Sequence, residues 1–312
     1  MIHLSDIEAA AIRIAPHIRA TPTITVEAVS EPVTAARLAL KLECLQATGS
    51  FKARGATNKL LTLPREALAR GIVTASGGNH GLAVARAARL AGVPATVFVP
   101  ESVTPAKREK LMRWGARVEV TGEIWNETNE AALAFAEQSG GAYFHPFADP
   151  AVVAGQGTLG IELLQALPDI DVALVAIGGG GLISGMAVAL RTLKPTIRII
   201  GIEPEGSPTL HACLGADRLV RLEKVTSRVA TMSCGQTDQG IFEMVRDLVD
   251  DIVLVSDEAM LEAARWLWFE LGIASDLSGA AAIAALRSKA VTFDAGTSVG
   301  ALVCGAGPEG IQ

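Results

Sequence analysis

A chain of 312 residues is longer than one compact core usually takes, so two lobes are expected, and its hydrophobic half is ample for their cores. The net charge of -6 and the lack of any basic run exclude a nucleic-acid surface. Cys44, Cys213, Cys234 and Cys304 form no CxxC pair and the five histidines are dispersed, so neither a disulfide framework nor a bound metal is expected, and the reduced thiols suit a cytoplasmic protein.

The N-terminus turns charged within a few residues, so no signal peptide is expected. Ser5-Asp6-Ile7-Glu8 reads as a capping box, with Ser5 as cap and Glu8 reaching back, opening a helix to about residue 17. Thr21-Pro22-Thr23 breaks that helix. Residues 38–43 read as a strand, and a helix over 53–63 stops before Pro64. Strands over 71–75, 95–99 and 118–120 alternate with helices over 82–91, 105–114 and 127–138. Gly155-Gln156-Gly157-Thr158 precedes a helix to about residue 167. A strand over 172–177 leads through four glycines into a helix ending near 193. Further strands fall at 197–202, 252–255 and 298–303, with helices opening at Asp257 and Ser278. Strands alternating with helices at this spacing indicate an α/β fold with parallel sheets. Residues 172–190 carry no charge and include a GxxxG pattern, but a buried strand, a glycine loop and a buried helix explain them better than a membrane span.

The stretch most suggestive of chemistry is Thr48-Gly49-Ser50-Phe51-Lys52-Ala53-Arg54-Gly55. A lysine amine can form an imine with an aldehyde, the link used by pyridoxal phosphate (PLP) enzymes. On its own, a solvated lysine beside a helix start is the simpler reading. Three loops change the balance. Gly178-Gly179-Gly180-Gly181 lies between a strand and a helix, where backbone N–H groups and the helix dipole can cradle a phosphate. A dinucleotide fingerprint fails there because Leu182 occupies its middle glycine position, although Glu203 lies where a ribose-binding acid belongs. No Walker lysine follows either. Ser76-Gly77-Gly78-Asn79-His80-Gly81 has the same strand-to-helix setting and can hold a carboxylate. In it Asn79 can bond a ring hydroxyl, Ser76 can cap the helix, and His80 reads as a base or as a structural ring under the loop. Cys304-Gly305-Ala306-Gly307 ends the last strand, and ligands of open parallel sheets bind at such carboxyl ends. An inert buried thiol is the plain alternative for Cys304.

Ser50-Phe51-Lys52-Ala53-Arg54-Gly55, the Ser76 loop, Gly155-Gln156-Gly157-Thr158, Gly178-Gly179-Gly180-Gly181-Leu182 and Cys304-Gly305 occur in that order. Together they resemble the fold-type II PLP enzymes, in particular the threonine/serine dehydratase and serine racemase group. The resemblance implies two open, twisted parallel-type sheet lobes flanked by helices, with the cofactor between them. A small mobile substrate lobe at 46–143 would be inserted into a large lobe of 1–45 plus 144–312. It implies that Lys52 holds PLP as an imine, that Phe51 packs near it and that Asn79 binds its 3′-oxygen. The tetraglycine with Leu182 would cradle the phosphate, and Cys304 would face the pyridine nitrogen. Ser76, Gly77, Gly78 and His80 would line the substrate side.

The implied reaction is loss of water and then ammonia from a 3-hydroxy amino acid, L-threonine or L-serine, giving a 2-oxo acid. Lys52 would remove the α-proton, and a neutral thiol at the ring nitrogen would suit such an elimination. Racemases of the group carry a serine where this chain has Gly77, which favours the dehydratase; serine racemisation, or dehydration of another 3-hydroxy amino acid, is the alternative. Three departures stand out: Ser207 and Thr209 follow Glu203-Pro204 where cation ligands often sit, Cys234-Gly235 replaces Asp-Gly, and Asp276-Leu277-Ser278-Gly279 replaces Glu-Pro-Ser-Gly. The group's usual assembly implies a homodimer. The chain stops soon after Cys304, so a degradative enzyme without a regulatory domain is expected.

Overall fold

The computed structural model describes residues 2–123 and 125–311. Helix α1 (Leu4–Ile14) continues as a single 3-10 turn to His17. Its cap differs from the sequence expectation. The backbone N–H of His3 donates to Asp6 Oδ2 at 2.8 Å, so Asp6 takes the reach-back role given to Glu8, and Ser5 lies inside the first turn. Then come β1 (Thr23–Thr25), β2 (Arg37–Leu42), α2 (Lys52–Thr62) and the short α3 (Arg65–Leu68). The next elements alternate strictly: β3 (Ile72–Ala75), α4 (Asn79–Ala91), β4 (Ala95–Val99), α5 (Pro105–Arg113), β5 (Ala116–Val120), α6 (Trp125–Ser139) and β6 (Ala142–Tyr143). After α7 (Pro150–Ala166) the pattern resumes with β7 (Val172–Ala176), α8 (Gly181–Leu193), β8 (Arg198–Pro204), α9 (Thr209–Ala216) and α10 (Gln239–Leu248). The chain closes with β9 (Asp251–Val255), α11 (Asp257–Leu271), α12 (Leu277–Arg287) and β10 (Ser298–Val303).

The strands form two sheets. The larger runs β1-β2-β10-β7-β8-β9 and is parallel except for the β1–β2 pair; the smaller runs β5-β4-β3-β6 and is parallel throughout. This is the two-lobed α/β architecture expected of the sequence. Each sheet has its own core. Strand β7 is buried at every position, as befits the centre of a parallel sheet covered on both faces. Ala280, Ala281, Ile283 and Ala284 of α12 join Leu174 and Val175 in the large core, while Ala83, Val84 and Ala87 of α4 join Ile72, Val97 and Val99 in the small one. The uncharged run at 172–190 is thus β7 followed by the buried α8, and no helix among the described residues is long and apolar enough to cross a membrane.

Several local expectations are corrected. Helix α4 starts at Asn79, with Gly78 before it, so Ser76 does not cap it; Ser76 Oγ instead accepts from the Gly78 N–H at 3.3 Å. Helix α12 begins at Leu277, one residue before the expected Ser278, and is capped by Asp276, whose Oδ1 accepts from Gly279 N at 2.7 Å. Gly155-Gln156-Gly157-Thr158 does not precede a helix but lies inside α7. There the missing side chains allow close helix contact: a Cβ on Gly155 would lie 2.7 Å from Gly55 Cα, and one on Gly157 would lie 2.8 Å from Gly185 O. Strands β1 and β6 and helices α3, α9 and α10 were not anticipated; β1 has three residues and β6 only two, too few to show a period.

Candidate active site

Lys52 is the first residue of α2, and the segment before it is stitched to the end of β10. Phe51 N donates to Cys304 O at 3.2 Å, Ala306 N donates to Gly49 O at 2.8 Å, and Ser50 and Gly305 form an antiparallel bridge. Thr48 and Gly49 turn the chain with φ of +65° and +84°, so the first and last motifs of the sequence meet. The Lys52 amine donates to Pro146 O at 2.7 Å and lies 5.1 Å from the centroid of the Phe51 ring. Its side chain keeps partial access to solvent. Burial of the ammonium brings it down to about 8, against a smaller upward pull from the nearby Cys304 and Cys234. An amine so lowered is partly neutral near physiological pH, which is the form that attacks an aldehyde or accepts a proton.

The tetraglycine forms the turn from β7 into α8. Gly180 takes φ of +93°, which only glycine adopts freely, and precedes the helix. The opposite side of the turn is packed: a Cβ on Gly179 would lie 2.2 Å from the Phe147 ring, and one on Gly181 would lie 2.4 Å from Phe147 O. Thr237 Oγ1 donates to Gly179 O at 2.9 Å. The N–H groups of Gly178, Gly179 and Gly180 meet no protein acceptor among the described residues. Three uncommitted amides beside a helix N-terminus make an anion site. Leu182, in the first turn of α8, is buried in the large core.

The Ser76 loop closes on the same place from the small lobe. Thr231 stands between the two glycine loops: its Cγ2 is 3.5 Å from the Cβ position of Gly78, and its carbonyl oxygen is 2.9 Å from that of Gly178. Gly77 faces Val103, whose Cγ2 would lie 2.3 Å from a Cβ there. Asn79 reaches across to the large lobe, donating from Nδ2 to Asp276 Oδ2 at 2.9 Å. His80 is buried beneath the loop with Nε2 3.0 Å from Phe144 O. Burial, and then the charge of Lys52, push it down to about 3, so the ring is neutral and suits a prop better than a base.

Cys304 is buried at the end of β10, with Sγ 3.7 Å from Ser278 Oγ, and burial followed by the Asp276 charge drives its thiol far above the usual range. Glu203 does not project as a ribose ligand. Its buried carboxylate accepts the N–H groups of Leu210 and His211, each at 2.9 Å, and burial raises it to about 7. Ser207 and Thr209 both donate to Cys234 O. Among the described residues no group of three or more His, Cys, Asp or Glu side chains could hold a metal ion. Sequence reasoning missed Pro146, Phe147, Thr231 and Thr237, which carry no motif and arrive from distant segments.

Behind Lys52, Arg54 fixes α2. Its guanidinium gives two bonds to Glu43, two to Glu162 and one to Thr158, using all five N–H donors.

These residues fit PLP. A desolvated amine and a cup of unpaired helix-terminal amides are the two attachments that an aldehyde carrying a phosphate needs. The comparisons agree. The chain is 39% identical over 289 residues to an L-threonine ammonia-lyase of Thermotoga maritima, covering 93% of this chain and 72% of that one. It is 43% identical over 259 residues to an L-threonine ammonia-lyase of Geobacter sulfurreducens, covering 83% of this chain and 64% of that one, so it spans about two thirds of these relatives' length. The solved structure of maize serine racemase superposes with a TM-score of 0.92 at 32% identity, over 97% of this chain and 93% of that one. Residues 14–305 match the model of the family described as pyridoxal-phosphate dependent enzyme, and the chain belongs to that family.

Proposed function

We propose that this protein is a PLP-dependent ammonia-lyase that dehydrates and deaminates L-threonine, and L-serine beside it, to the 2-oxo acid and ammonia. The observation that carries this reading is the Lys52 amine, lowered to about 8 by burial, in a site whose tetraglycine amides are uncommitted. The similarity to two threonine ammonia-lyases supports the substrate.

Each residue has a physical task in this reading. Gly178, Gly179, Gly180 and Gly181, with Leu182 behind them, bind the phosphate through backbone amides and the α8 dipole. Phe51 would pack near the ring, Asn79 would bind its 3′-oxygen, and Cys304 would face its nitrogen. Bound PLP supplies an electron-withdrawing ring that acidifies the substrate α-proton. Ser76, Gly77 and Gly78 offer the substrate carboxylate the N-terminus of α4, with His80 supporting that loop from below. Lys52 Nζ accepts the α-proton, and its lowered affinity for protons keeps enough of it neutral to do so.

Gly77 also bears on the racemase reading. Racemisation needs a second proton donor across from Lys52, and Gly77 offers none, while Val103 fills the space a side chain there would take. The small lobe, 46–143, would close on the substrate, the protein would act in the cytoplasm, and two copies would form a homodimer. The test is 2-oxo acid release from L-threonine by the purified protein beside a Lys52→Ala control, with chiral analysis of recovered L-serine. Release that vanishes in the control supports the reading. A PLP-loaded protein that releases nothing, or that returns D-serine, overturns it.

A further inference from the structure

Asp276 carries more interactions than a helix cap requires. Its Oδ1 accepts from Ser278 Oγ and from Gly279 N, both at 2.7 Å, and its Oδ2 accepts from Asn79 Nδ2 at 2.9 Å. The carboxylate is buried. It presses against the chain just beyond Cys304: Asp276 N donates to Gly305 O at 3.0 Å, and a Cβ on Gly305 would lie 2.4 Å from Asp276 Oδ2. One carboxylate therefore touches the small lobe through Asn79 and the end of β10 through Gly305.

The hydroxyl of Ser278 transmits its influence further. Ser278 has one hydrogen, and that hydrogen is committed to Asp276 Oδ1. Its contact with Cys304 Sγ at 3.7 Å must then use the thiol hydrogen, with the Ser278 oxygen accepting. Asp276 thereby orients the Ser278 hydroxyl so that its oxygen faces Cys304 Sγ and holds the sulfur in place. Asp276 takes one of the two hydrogens on Asn79 Nδ2 and so fixes the orientation of that amide.

We infer that Asp276 is a positioning residue for the cofactor ring, holding Asn79 at the ring's oxygen and, through Ser278, the Cys304 thiol at its nitrogen. This rests on the reading above that places Asn79 and Cys304 against PLP. A buried carboxylate beside Asn79 and Cys304 would favour positive charge at that place over the neutral form.

The experiment follows the visible absorbance of the holoenzyme against pH, together with PLP affinity and melting temperature. The variants are Asp276→Asn, Asp276→Ala, Asn79→Ala and Cys304→Ala. Asp276→Asn keeps the helix cap and removes the charge, so its melting temperature should hold while the pH midpoint of the absorbance change falls by about half a unit or more. Asp276→Ala should move the midpoint the same way and weaken PLP binding roughly tenfold, a loss that a cap alone would not produce. If the Asp276 variants leave midpoint and affinity unmoved while Asn79→Ala or Cys304→Ala shifts them, the inference fails and the cofactor placement stands. If none of the four moves them, the placement fails and the inference with it. If Asp276→Asn acts but the other two variants are silent, Asp276 does not work through those residues and the positioning role is refuted.

Discussion

Arg54→Ala should be among the most damaging substitutions outside the reacting groups. Arg54 and Glu43 are both fully buried, at 0% exposure, and Glu162 is 26% exposed. Burial disfavours the charged guanidinium, but the two carboxylates outweigh it and raise its proton affinity. Glu162 is likewise held below the usual carboxylate range, because Arg54 and Lys41 outweigh its burial. Removing Arg54 leaves Glu162 with Lys41 Nζ at 2.7 Å, but leaves Glu43 with only the Thr21 hydroxyl. A stranded buried charge costs about 3–5 kcal/mol, a large part of a total stability of about 5–15 kcal/mol. In a chain of this size that lowers the melting temperature by roughly 10 °C. Scanning calorimetry of the purified variant measures it. Arg54→Met/Glu43→Gln should recover part of the loss, because a neutral amide strands no charge. A cost below about 1 kcal/mol, or no relief from Glu43→Gln, would refute the claim that an unpaired carboxylate is the cause.

Gly179→Ala drives a methyl into the Phe147 ring, 2.2 Å from Cδ1, so the phosphate cup must deform and PLP affinity, read by titration, should fall at least about tenfold. In the cofactor-free protein, folded Lys52 is neutral above about 8 while the unfolded chain stays protonated to 10.5. The unfolded state therefore binds the extra proton, and stability should climb across that window by roughly 3 kcal/mol or less. Urea melts should show the slope flattened in Lys52→Met. Glu203 has the opposite sign: its folded value of about 7 lies above the ordinary carboxylate value of 4.5, so its contribution is full below 4.5 and is lost as pH rises through 7. Glu203→Gln should remove that decline in the same melts. Gly77→Ser meets Val103 at 2.3 Å and should cost about 1–3 kcal/mol by overpacking, with Val103→Ala restoring the melting temperature.

The parts of this molecule that could be read from its sequence are those whose physics is local. A lysine beside a small-residue turn, and four glycines between a strand and a helix, carry their chemistry within a few residues. So did the strand and helix alternation that gives two parallel sheets. What escaped depends on separation along the chain. Asn79 and Asp276 are 197 residues apart, and Arg54 and Glu162 are 108 apart; no periodicity links such pairs. Glycine misled once, at Gly155 and Gly157, because the same missing side chain that frees a loop also lets two helices touch. The distinction lies in the neighbours: α7 carries Ala151, Val152, Val153 and Ala154 just before Gly155, an apolar run with no turn former, whereas the tetraglycine follows a strand directly. The polar residues follow the same logic. Ser76 sits where a cap is plausible, yet α4 begins three residues later at Asn79, and its hydroxyl accepts from Gly78 N instead. Asp276 caps α12 and in doing so puts a carboxylate within reach of Asn79, 197 residues away, and of Gly305 at the end of β10.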